Sequence, residues 1–178
     1  MANYIVPITA HGKNHLKISG VFGTVHGLLA LGIFVYTFVN VMSVLRENPD
    51  SVVFGVYSAT LISFFRTLVI FYFLYMSVTS IKNCSNLEKA AILKKFGMIN
   101  MFLVVFILVI GVIQQITTII AVNNYEESVL NASFHFIYST IVLAILTLPM
   151  LVCSVFFIHG ASKNKKAHNI TMYNNEKC

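Results

Sequence analysis

The chain has 178 residues, of which 57% are hydrophobic and only 10% charged. Soluble domains carry about 25% charged residues, so the composition excludes an ordinary soluble domain and implies an integral membrane protein built as one small bundle. The formal charge of +6 would suit nucleic acid, but the lysines cluster beside apolar runs, where topology and anionic lipid account for them, and no basic-aromatic module accompanies them; no nucleic-acid partner is expected.

Residues 1–20 are a short N-terminal segment with no cleavage pattern after the first apolar run, which reads as a retained signal-anchor. Four runs then follow, each long enough for the ~20 apolar residues that a helix needs to cross a bilayer. They occupy about 21–44, 56–79, 96–122 and 134–158. The first two are separated by Arg46-Glu47-Asn48-Pro49-Asp50, whose Pro-Asp pair breaks a helix. A basic connection, 80–95, separates the second and third, and a short acidic loop with Glu126 and Glu127 separates the last two. Residues 159–178 form a polar tail. In the basic connection, Ser85-Asn86-Leu87-Glu88 fits a capping box, so the third helix is expected to begin near Asn86. Lys13 and Lys17, four lysines of the basic connection and four of the tail make ten of the twelve basic residues. By the positive-inside rule both termini and the middle connection face the cytosol. The expected fold is therefore all-α: an integral membrane four-helix bundle with short loops.

Helices associate in lipid through small residues and hydrogen bonds. Span one offers Gly20, Gly23 and Gly27, the last two in a GxxxG. Span two offers Ala59 and Ser63, with Arg66 following on the same helical face. Span three carries Gly111, Gln114, Gln115 and Thr118, and span four has Pro149, which removes one backbone bond and leaves the carbonyl of Ile145 open. Arg66 falls near the middle of its span, where an arginine costs at least ~2.5 kcal/mol. No Asp or Glu occurs in any span. The expected partners of Arg66 are Gln114, Gln115, Tyr36, Asn40 and the carbonyl near Pro149. Three roles are open: a gating, selectivity or anion site; a structural arginine satisfied by amides; or a charge completed by an acid from another protein.

His11 and His15 are spaced i, i+4, but no further ligands stand near them, and no metal site is expected. His26, between two glycines, is expected to bond a neighbouring helix; His135 and His159 lie at span ends. Cys84, beside Lys82, is a candidate for lipidation, and Cys153 is expected within span four. Asn131 begins the one outward-facing glycosylation sequon. No reactive constellation and no phosphate loop appears, so neither enzyme activity nor a cofactor is expected.

Four spans, short loops and both ends in the cytosol resemble the broad tetraspan group, with MARVEL-type vesicle proteins and the four-pass proteins of nematode sperm nearest in outline. The chain departs from tetraspanins and claudins in having no cysteine in either outward loop and no tryptophan. The resemblance implies a non-catalytic adaptor, organiser or trafficking escort whose partners are the bilayer, other integral membrane proteins or further copies of itself. It would reside in the plasma membrane or in secretory-pathway vesicles. A channel or transporter subunit using Arg66 in an oligomer, and a gamete or cell-surface protein acting in cell-cell interaction or fertilisation, are the alternatives.

Overall fold

The computed structural model describes residues 10–47, 53–123 and 129–176; within them, the side chains toward one end of the bundle, among them 41–45, 53–63 and 117–136, fall outside the description. The described chain is entirely helix and turn. α1 is Lys13–Glu47, α2 Val53–Asn83, α3 Ala90–Asn123 and α4 Val129–Glu176. Each has a stretch long and apolar enough to cross a membrane. Helix is the form such runs take because every backbone polar group is then bonded within its own segment. Consecutive helices run antiparallel, and contacts join α1 to α2, α2 to α3, α3 to α4 and α4 back to α1, with the α2–α3 seam the least extensive of the four. The result is an up-down-up-down square.

The helices outrun the apolar runs that define them. α1 begins at Lys13 rather than near residue 21, and α4 continues through the lysine-rich tail to Glu176. At ~1.5 Å per residue α4 is roughly 70 Å long. The tail stays helical because it is packed: Gly160, Ala161, Asn164 and Ala167 form a buried stripe at helical spacing. At its other end α4 starts at Val129, so Asn131 lies in its first turn instead of in a loop; its side chain is outside the described residues. The expected capping box at Ser85 does not form. Asn86 takes that place, its Oδ1 accepting from the Lys89 amide at 3.2 Å, while the Ser85 hydroxyl sits beside the Cys84 thiol. α3 accordingly starts at Ala90, a turn later than the box implied.

The core runs along the bundle axis. Leu16 of α1, Phe73 and Met76 of α2, Leu93 and Val104 of α3, and Met150, Cys153, Phe157 and Ala161 of α4 are buried in it. Glycines set how closely the helices approach. Along α1, a Cβ at Gly20 would stand 2.6 Å from Ile81, one at Gly23 would collide with the Ser77 hydroxyl, and one at Gly27 would stand 2.5 Å from Leu74. These three glycines are the face that α1 turns to α2. The tightest approach is between α1 and α4, where a Cβ at Gly12 would overlap the backbone carbonyl of Gly160.

A side-chain terminus can swing aside, whereas a backbone carbonyl in a packed helix cannot. Gly12→Ala therefore lowers stability by about 1–3 kcal/mol, the cost of overpacking. Gly32→Ala, where nothing lies within 4 Å of the added carbon, stabilises by up to about 1 kcal/mol through helix propensity. Thermal unfolding of both variants in detergent checks the contrast; equal midpoints would show that the Gly12–Gly160 contact is not needed.

Candidate functional site

Polar groups in an apolar bundle are costly unless bonded, so their placement marks where the chain spends stability. The described residues hold two such regions. The first is the lysine-bearing end, where α1 starts and α2 meets α3. Asn164 is fully buried there. Its Oδ1 accepts from the Gly12 amide at 2.7 Å and its Nδ2 donates to the Cys84 carbonyl at 3.0 Å. One side chain of α4 thus ties the first turn of α1 to the α2–α3 connection. Beside it, the Ser80 hydroxyl donates to the Leu16 carbonyl at 3.0 Å. About three helical turns back along α4, Asn100 donates to the Ser154 hydroxyl at 2.7 Å, and Ser154 donates to the Met150 carbonyl. Neither Asn164 nor Asn100 was picked out by sequence reasoning. For Asn100 the signal was present, an amide within an apolar stretch; for Asn164 it was hidden among charged and polar tail residues.

Mid-bundle, His26 lies between Phe22 and Phe73. With its proton on Nε2 it donates to the Leu146 carbonyl at 3.0 Å, three residues before Pro149. α1 thus bonds the turn of α4 that precedes Pro149, and His26 rather than Arg66 makes that bond.

The second region is the α2–α3 seam toward the opposite end. Arg66 is half-buried and its Nη2 donates to Gln114 Oε1 at 3.3 Å. Its Nε is buried with no acceptor. A guanidinium has five N–H donors, so a single neutral amide leaves it incompletely satisfied. The group lies against α3 at Gly111, where an added Cβ would be 3.4 Å from Nη2 and 2.7 Å from Leu143 of α4. Gln115, one residue on, turns away and accepts from Thr140 of α4 at 3.3 Å. Tyr36 is 69% exposed on α1. Asn40, Ala59, Ser63 and Thr118 lie in the helices, but their side chains are outside the described residues.

The remaining sequence candidates are placed as follows. His15 meets His159 across the α1–α4 contact, ring centroids 5.1 Å apart. Among the described residues no group of three or more His, Cys, Asp or Glu could hold a metal. Cys153 is buried in the core, and Cys84 is 8% exposed. Acylation of Cys84 requires its thiol to turn out of the bundle. His135 is outside the described side chains.

No protein-family model matches the chain, no curated protein matches it, and no solved structure matches it. The class is therefore set by architecture alone: the described residues are all-helical, with four helices long and apolar enough to cross a membrane, the outline of a four-pass membrane protein.

Two outcomes follow from these geometries. Asn164→Ala strands the Gly12 amide and the Cys84 carbonyl, each worth about 1–3 kcal/mol when left unpaired in a buried site; thermal unfolding drops, and maleimide labelling of Cys84 in the folded protein accelerates. At the seam, Gln114→Leu leaves the guanidinium buried without its amide and destabilises more than Arg66→Leu, which removes the burial cost together with the bond. The bond itself is worth about 0.6 kcal/mol. Unfolding midpoints of the two single variants and the double variant measure the order; Arg66→Leu as the more damaging change would make the arginine a structural keystone.

Proposed function

We propose that the protein is a non-enzymatic four-pass membrane adaptor, with its lysine-bearing end and both termini in the cytosol, that binds other integral membrane proteins side to side. The observation that carries this reading is that the interior is filled where its side chains are described. Phe73, Met76, Val104 and Phe157, from three helices, close the bundle axis and are at most 1% exposed. One bundle packed in this way leaves little room for a solute pathway. The surface available for work is then the outer faces of the helices, which carry large apolar side chains on all four. Membrane proteins recognise one another through such faces by close packing and a few polar contacts. The lysines gathered at one end support the orientation.

Purified protein in sealed liposomes should pass no more ions than protein-free liposomes; a flux abolished by Arg66→Leu would instead favour a channel or transporter subunit. Tags fused at Met1 and Cys178 should be digested by protease added to the cytosolic side of sealed vesicles. A tag cleaved only after the membrane is opened would overturn the orientation.

A further inference from the structure

The adaptor reading leaves the chemistry of its partner open, and Arg66 narrows it. The guanidinium has one amide acceptor at 3.3 Å and a buried Nε–H without any. The chain's own acids cannot complete it, since all six lie outside the apolar runs, at Glu47, Asp50, Glu88, Glu126, Glu127 and Glu176. Lipid phosphate is too far. Arg66 stands ten residues past Val56, where its apolar run starts, hence about 15 Å along the helix at ~1.5 Å per residue, more than the side chain can span. Toward the lysine-bearing end the distance is greater, because α2 continues to Asn83. A water would offer an acceptor but no charge, and the arginine would still carry its burial cost.

Arg66 lies at the least extensive seam of the bundle. Exposed apolar residues neighbour it along both helices, Phe65 and Leu68 on α2 with Val112 and Ile113 on α3. A helix laid along the described part of this seam would meet apolar side chains and the Arg66 cation among them. We propose that the α2–α3 seam at Arg66 docks a transmembrane helix of another protein that carries a carboxylate at the same depth. Arginine suits this role because its planar fork can bind a carboxylate through two parallel bonds. A carboxylate brought into this apolar layer is itself costly unless paired with a cation, so each partner is selective for the other. The inference rests on the adaptor reading and deepens it.

The test reconstitutes the full chain, carrying a donor fluorophore, in phosphatidylcholine liposomes with a designed single-span leucine–alanine helix carrying an acceptor. The designed helix bears Glu, Gln or Leu at the depth of Arg66, or Glu displaced to the lysine-bearing half. Energy transfer should show the depth-matched Glu helix binding about tenfold more tightly than the Leu helix, the ratio given by a pairing advantage near 1.4 kcal/mol. The Gln and displaced-Glu helices should fall well below it. Arg66→Leu, with its fold checked by circular dichroism, should erase the preference, and Arg66→Glu should transfer it to a helix bearing Lys. Equal binding of the Glu and Leu helices to the unaltered protein overturns the proposal, as does a Glu preference that survives Arg66→Leu. In parallel liposomes that also contain phosphatidylserine, loss of bound anionic lipid in Arg66→Leu, without any Glu-helix preference, assigns the charge to a headgroup and also overturns it. The adaptor reading is judged separately, by photo-crosslinkers at the lipid-facing positions Phe102 and Phe156. If defined membrane proteins are captured equally with and without Arg66, the adaptor stands and the Arg66 dock falls.

Discussion

A bundle whose outside is as apolar as its inside cannot use burial of apolar surface to decide which face of each helix turns inward. All four helices carry large exposed hydrophobic residues, and lipid would solvate them as well as a core does. What remains to choose the packing is fit at close range and hydrogen bonds with no water to compete. The glycine face of α1 and the buried amides of α3 and α4 supply both. Gly20, Gly23 and Gly27 let α1 settle against Phe73, Leu74, Ser77 and Ile81 of α2. Buried hydroxyls at Ser77, Thr147 and Ser154 stay small and harmless by bonding the carbonyl four residues back in their own helix.

Among the described residues, these ties gather toward one end of the axis. Near the lysine-bearing end, Asn164, Ser80 and Asn100 join helix to helix or helix to connection, and Gly12 and Gly160 bring two backbones together. His26 continues the series to mid-bundle. Beyond it, the ties among the described residues include Arg66 with Gln114 and Gln115 with Thr140. A structure cross-braced at one end can hold its helices in register there while the α2–α3 seam stays less extensively packed. Arg66 sits at that seam, so the costliest group in the chain coincides with the seam that has least packing to lose. That coincidence is what supports the proposed role in association.

The buried asparagines also explain why α4 runs so far past its apolar stretch. A lysine-rich tail alone has no reason to remain helical, since an isolated helix of that length is marginal in water. Asn164 and the small residues Gly160, Ala161 and Ala167 give one side of it something to pack on, and the lysines take the other. The same contact buries Cys84 and holds the connection before α3, so the basic end forms a single braced unit.

The sequence by itself determined the number of helices, their approximate centres, the asymmetry of the lysines and the anomaly at Arg66. Each of these depends on composition summed over about 20 residues or on one residue foreign to its surroundings, and neither needs knowledge of neighbours. It also marked Gly20, Gly23 and Gly27 as a packing face, because small residues at helical spacing are a local pattern. Tertiary structure decided the rest. Whether Gln114 or Gln115 meets Arg66 turns on a rotation of about 100° between adjacent residues, set by how α3 packs on α4. Which side chain bonds the α4 backbone just before Pro149 was decided by His26 arriving from α1. Helix ends moved because Asn164 stabilises a tail that hydropathy treats as loop, and because Asn86, not Ser85, reached the open amide before α3. In each case the deciding partner lies on another helix or within a turn whose path packing had already fixed, and a linear reading has no access to that distance.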